Sequence, residues 1–140
     1  MIITKTPYRI SFFGGGSDYP SWYKKNGGAV LSSTIDKHIY ITCRFSPSYF
    51  KQKYRIVWRK IENVKNINEI NHKAVRYLLK YLNIKEGLEI HYYGDLPARS
   101  GMGSSSSFTV GLMQALYKIK KIKLTRAELT KKSINFEQNI

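Results

Sequence analysis

The apolar run Leu88-Glu89-Ile90-His91-Tyr92-Tyr93 leads into a loop from Gly94 to Gly103, and helical periodicity follows from Ser105 to Ile119. At the junction stands Pro97-Ala98-Arg99-Ser100-Gly101-Met102-Gly103-Ser104-Ser105-Ser106-Ser107. A strand passed through a glycine-serine turn into a long helix constrains this chain more than any other feature, because it sets the fold class and locates spare backbone amides. Glycines take up backbone conformations that other residues resist, and the first turn of a helix presents unpaired N–H groups with a partial positive charge. Such a turn suits phosphate oxygens. The serine hydroxyls can cap the helix, donate to phosphate oxygens, or coordinate a magnesium ion already bound to a nucleotide. A well-capped loop that binds nothing fits the same letters.

Two familiar phosphate-loop patterns do not match. A Walker loop needs Lys then Ser/Thr after its last glycine, whereas Gly103 is followed directly by Ser104. The dinucleotide fingerprint would place glycine or alanine at position 106, which is Ser106, and no clear acidic partner follows.

The remaining periodicity predicts an α+β domain with a mixed or antiparallel sheet and helices packed on one face. Ile2 to Thr6, Tyr8 to Phe13, Ala29 to Ile35, His38 to Phe45 and Tyr54 to Trp58 read as strands, being rich in β-branched and aromatic residues. Ser17 to Tyr23 reads as a short helix with Asp18 as a capping residue, an early Pro20 and a close at Asn26-Gly27-Gly28. Val75, Leu78, Leu79 and Leu82 predict a helix from about Asn71 to Leu82, stopped by Asn83. Val110, Met113, Leu116 and Tyr117 share one face of the helix after the loop, and Thr125 with Glu128 forms a capping box opening a last helix, Arg126 to Gln138.

At 140 residues the chain has room for one domain of ordinary size, residues 1–140. No run approaches the roughly 20 apolar residues of a membrane span, and no signal-peptide pattern precedes the first glycines, so a cytoplasmic location is expected. Its single cysteine, Cys43, sits in an apolar run and is expected to be a buried, inert thiol. The formal charge of +15 suits nucleic acid, a phosphorylated small molecule, or a merely lysine-rich surface. No nucleic-acid motif accompanies it, and the basic residues do not form one stripe. His38, His72 and His91 are too scattered for a metal cluster and are expected at the surface.

A second glycine cluster, Gly14-Gly15-Gly16, follows the strand containing Arg9 and leads into Ser17-Asp18-Tyr19-Pro20. Asp18 can cap the short helix or accept from vicinal sugar hydroxyls; Arg9 can be a strand-surface charge or a phosphate clamp. Together the two loops resemble the GHMP sugar-kinase family. Pro97 to Ser105 is similar to its Gly-Leu-Gly-Ser-Ser loop with Met102 in place of leucine. Arg9, Gly14, Asp18 and Tyr19 are similar to its Arg-x-x-x-x-Gly-Glu-His-x-Asp-Tyr segment, with Gly15-Gly16 replacing the Glu-His pair that helps to hold galactose. The run from Tyr8 to Pro20, Gly27 to Val30, Ser33 to Lys37, Ile61 to Val64 and Ser104 to Gly111 resembles the heptose-phosphate branch of the family.

That resemblance implies ATP and Mg²⁺ as cofactors and transfer of the γ-phosphate to the anomeric hydroxyl of D-glycero-D-manno-heptose 7-phosphate, on the route to nucleotide-activated heptose for surface polysaccharide. Fucose- or galactose-type kinases of the same family are the alternatives, and a basic nucleic-acid-binding module is the alternative outside it. By resemblance, Pro97, Arg99, Ser100, Gly101, Met102, Gly103, Ser104, Ser105 and Ser106 belong to the ATP loop, and Ser104 and Glu137 are the metal ligands. Arg9 stabilises charge on the transferred phosphoryl group; Gly15, Gly16, Ser17, Asp18 and Lys37 bind the substrate, with Lys37 and Arg99 the basic groups nominated for its 7-phosphate. The family's catalytic aspartate, in a Gly-x-Gln-Asp segment after the glutamate, is not in these residues, nor is its C-terminal domain. The chain therefore reads as a truncated N-terminal portion with little or no turnover alone.

Overall fold

The computed structural model describes residues 1–139. Five strands form one mixed sheet: β1 (Ile2–Phe13), β2 (Leu31–Phe45), β3 (Tyr54–Val57), β4 (Ile61–Val64) and β5 (Leu88–Gly94), in the order β1-β2-β5-β3-β4. All neighbours are antiparallel except β3 and β5, which run parallel. Four α-helices accompany them: α1 (Pro20–Asn26), α2 (Lys73–Tyr81), α3 (Ser104–Ile119) and α4 (Arg126–Gln138). This is the expected α+β class with a mixed sheet.

One face of the sheet carries the core. Tyr8, Ile39, Ile41, Cys43, Tyr54, Ile56, Leu88 and Ile90 point from the strands into the same cluster as Val75, Leu78 and Leu79 of α2 and Leu112, Met113 and Leu116 of α3. Each such aliphatic side chain contributes about 1.5–3 kcal/mol by leaving water. Helix α3 lies closest to the sheet because Gly111 has no side chain: a Cβ there would meet Thr6 Oγ1 at 2.7 Å, and Thr4 Oγ1 donates to the Gly111 carbonyl at 3.0 Å. Helix α4 packs back on α3, with Ser133 against Met113. Cys43 is buried as expected, and desolvation pushes its thiol up to about 12, outweighing the opposing positive N-terminus.

Several boundaries differ from those the sequence predicts. The two predicted strands before Gly14 are one strand with a register shift between Pro7 and Arg9, where proline cannot donate to the ladder; β1 is an edge strand, which tolerates this. Opposite the shift, the two runs predicted from Ala29 to Phe45 merge into β2. Strand β4 was not expected, because its inward position is the acid Glu62, 6% exposed. Glu62 accepts from Trp58 Nε1 at 2.8 Å and from the backbone amides of Asn71 and His72, which anchors the entry to α2. Helix α3 is covered by sheet, α2 and α4, so Phe108, Leu112 and Ala115 are buried besides the predicted Met113, Leu116 and Tyr117, while Val110 is half-buried.

Asp18 is not the cap of α1: Tyr19 occupies that position without a side-chain bond, and Asp18 Oδ1 instead accepts from Gly16 N at 3.0 Å. His72, like His38 and His91, is half-buried rather than fully exposed. Its Nδ1 accepts from Val75 N to cap α2, and its ring lies 4.8 Å from both Trp58 and Phe108. Burial lowers the His72 pKa, against the pull of the nearby Glu62 carboxylate. Asn83 takes a φ of 49° just past α2, as a helix stop should, and Thr125 and Glu128 form the expected capping box of α4.

Candidate active site

The loop between β5 and α3 is built from left-handed turns. Arg99, Gly101 and Gly103 have φ of 65°, 76° and 69°, and Gly103 occupies the N-cap of α3. Glycine has no side chain to bond back to the helix, so the first-turn amides of Ser104, Ser105 and Ser106 are left uncapped. The Ser100 hydroxyl is buried without a partner, and a Cβ on Gly101 would meet nothing within 4 Å. An orphaned hydroxyl, an open space and an uncapped helix start fit a phosphate chain.

Strand β1 is fastened to this loop just beyond its register shift. Arg9 N donates to the Met102 carbonyl at 3.1 Å, and Ser107 Oγ donates to the Pro7 carbonyl at 2.7 Å. The Arg9 side chain passes over Gly103, where a Cβ would sit 3.0 Å from its Cγ, and its Nη1 donates to Ser11 Oγ at 2.9 Å. The Gly14–Asp18 turn closes on itself: Ser17 Oγ donates toward the carbonyls of Gly14 and Ala29 and accepts from Ala29 N. Ser17 therefore shapes the turn, and its hydroxyl is already engaged.

In front of α3 lies a cavity of about 640 Å³. Arg9 from β1, Asp18 from the glycine turn, Ser105 and Ser106 from α3 and Glu137 from the end of α4 all line it, with Tyr19, Pro20, Ala74, Thr109, Ile134, Phe136 and Gln138. Five residues singled out in the sequence, 128 positions apart at the extremes, thus meet in one cleft. Gly15, Gly16, Ser17, Lys37, Pro97, Arg99, Ser100, Gly101, Met102, Gly103 and Ser104 are outside its lining. Lys37 is exposed on β2 beside the register shift.

Ser104, expected with Glu137 as a metal ligand, is not in the lining of the cavity that Glu137 joins. On α3 a step of one residue turns the side chain by about 100°, and Ser105 and Ser106 line the cavity with Glu137. Thr109, four residues after Ser105, lies on the same face; helical spacing alone could have found it. No cluster of three or more His, Cys, Asp or Glu residues occurs among the described residues. A magnesium ion needs none, since it takes one carboxylate, a hydroxyl and the oxygens of phosphate and water. Ser105 and Glu137, which line one cavity, carry a hydroxyl and a carboxylate, the donor types such an ion takes, and the loop offers uncapped amides to phosphate oxygens.

Residues 68–140 match the model of the GHMP kinases N terminal domain. Over 98% of its length the chain is 27% identical to a D-glycero-alpha-D-manno-heptose 7-phosphate kinase of Campylobacter jejuni, covering 43% of that protein. It is 31% identical over 90% of its length to a galactokinase of Streptococcus thermophilus, of which it covers 34%. A crystal structure of a D-glycero-D-manno-heptose 1-phosphate kinase from Bacteroides thetaiotaomicron superposes on 99% of the chain with a TM-score of 0.81 at 21% identity, and the chain covers 48% of it. The chain spans less than half the length of each of these relatives.

Proposed function

The chain belongs to the GHMP kinase family, and on that premise we propose that it forms the nucleotide-binding half of an ATP-dependent sugar or sugar-phosphate kinase. The observation that carries this reading is the single cavity at the uncapped start of α3, lined by Arg9, Asp18, Ser105, Ser106 and Glu137. The amides of Gly101 to Ser106 cradle the phosphates of ATP, and Ser100 gains a partner for its hydroxyl. Ser105 and Glu137 would hold Mg²⁺, whose charge would offset that of the triphosphate. Arg9, braced by Ser11 and by its bond to Met102, faces the transferred phosphoryl group.

Asp18 accepts from hydroxyls of the sugar and so orients the attacking oxygen. That oxygen bonds to the γ-phosphorus as the bond to the bridging oxygen of ADP breaks, and its proton leaves to a base outside these residues. Positioning and charge neutralisation supply most of the rate. The substrate we assign is D-glycero-D-manno-heptose 7-phosphate, phosphorylated at its anomeric hydroxyl in the cytoplasm. Likeness to heptose-phosphate kinases along nearly the whole chain supports it, as does Gly15-Gly16 where galactose-binding members have Glu-His. The greater identity to a galactokinase favours galactose as the second reading.

Calorimetric titration tests both levels. MgATP should bind once and more tightly than ATP with EDTA, and a uridine oligonucleotide should not displace it. With a non-hydrolysable ATP analogue bound, the heptose 7-phosphate should bind saturably and galactose should not; the reverse order would transfer the assignment to galactose. Turnover by residues 1–140 alone should be negligible. Displacement of MgATP by the oligonucleotide would overturn the kinase reading in favour of nucleic-acid binding.

A further inference from the structure

A second concavity of about 510 Å³ lies at the other end of α3 from the cleft. At 1.5 Å per residue the 16 residues of α3 separate the two by about 24 Å. Its floor is apolar, made by Ile2, Tyr117, Leu124 and Leu129. Around it stand Lys118, Lys121, Lys123 and Arg126, and no carboxylate lines it. Among the described residues, none of these four cations has an ion-pair partner.

The backbone that carries part of the rim is hydrogen-bonded. Lys121 N donates to the Lys118 carbonyl and Ile122 N to the Tyr117 carbonyl, each at 2.9 Å, which closes the last turn of α3. Lys121 holds the left-handed position of that turn, φ 60°, where glycine would be unstrained and a lysine is not. Two features oppose an anion here: the carbonyl end of α3, and Glu128 on the first turn of α4. Glu128 is already engaged, accepting from Thr125 N and Oγ1 at 2.8 Å, and it is not part of the groove's lining.

We propose that this groove binds a free amphiphilic anion, with an apolar body of fused-ring or short-chain size and one sulfonate, phosphate or carboxylate head. The volume is that of a small-molecule site, and its apolar floor ringed by a few cations matches such a ligand in shape and charge. A purely polar phosphate would leave the floor wet, and a neutral hydrocarbon would leave the cations without a counter-charge. The inference is independent of the nucleotide cleft.

The probe is 8-anilinonaphthalene-1-sulfonate, followed by its fluorescence. One site is expected, insensitive to saturating MgATP, and competed by decyl phosphate well before decanol or inorganic phosphate. Lys121→Glu with Lys123→Glu should weaken binding about tenfold, and Ile122→Ser, at an exposed position, should weaken it through the apolar contact instead. Lys51→Glu with Lys60→Glu, the same change of net charge elsewhere on the surface, should leave it within about twofold. Thermal unfolding confirms that each variant is folded. Equal weakening by both lysine pairs would reduce the site to general charge and overturn the proposal, as would decanol competing as well as decyl phosphate. Sedimentation with phosphatidylglycerol vesicles that depends on Lys121 and Lys123 would also overturn it, in favour of a membrane surface.

Discussion

Gly103→Ala tests how the cleft is held together. At φ 69° an alanine costs about 1–2 kcal/mol of backbone strain. Its Cβ would lie 3.0 Å from Arg9 Cγ and 3.4 Å from Cζ and Nε, so the arginine must move by a few tenths of an ångström, which its flexible stem allows. The melting temperature should fall by about 4–8 °C, taking about 4 °C per kcal/mol for a domain of this size. Gly101→Ala carries the same kind of strain at φ 76° but touches nothing, so it should lower the melting temperature comparably without displacing Arg9. The two variants separate in an Arg9→Ala background. If Arg9 and Gly103 act as a unit, Gly103→Ala should cost MgATP affinity in the native background and much less once Arg9 is gone. Gly101→Ala, which puts a methyl into the space before the loop, should cost affinity equally in both. Titration calorimetry across this double-mutant cycle gives the coupling, and an identical cost of Gly103→Ala in the two backgrounds would refute the arrangement.

Ser105→Ala and Glu137→Gln should each weaken ATP binding with Mg²⁺ and leave binding in EDTA nearly unchanged, while Ser104→Ala does neither; calorimetry with and without metal distinguishes them. Ser107→Ala strands the Pro7 carbonyl without its buried donor and should cost about 1–3 kcal/mol in urea unfolding, with a further loss of MgATP affinity because the bulge carries Arg9. His72, whose folded pKa lies below its ordinary value, favours the folded state only while neutral. Stability should therefore decline as pH falls through about 6.5, where the unfolded chain takes up the proton, and His72→Asn should flatten that decline in melting temperature between about pH 7 and 5. Glu89 has the same sign at lower pH: hydrogen bonds from His91 and Arg44 outweigh burial and hold its carboxyl below the ordinary value, so its contribution is lost only in acid.

Hydrophobic spacing made α2 and α3 legible, since each presents apolar residues at helical intervals to a large core, whereas α4 was legible from the capping box of Thr125 and Glu128. The glycine-serine loop was legible for a different reason, because few residues but glycine accept φ near 70° at a helix start. What escaped the sequence depends on partners distant along the chain. Glu62 reads as a solvated charge until Trp58, Asn71 and His72 surround it, and β4 was hidden with it. The same limit applies to the serines: the motif locates them, but only the docking of α4 against α3 decides which of them share a cavity lining with Glu137. Tyr19, Pro20 and Ala74 join the cleft through tertiary closure, and no local pattern announces them.

Cys43 lies at 0% exposure in β2, between β1 and β5, and it is the only thiol. With its ionisation pushed up to about 12, almost no thiolate exists at neutral pH to meet a reagent. Alkylation must wait for the sheet to part, so its rate clocks that opening, and a slower clock with MgATP present would record ligand binding without any label being introduced.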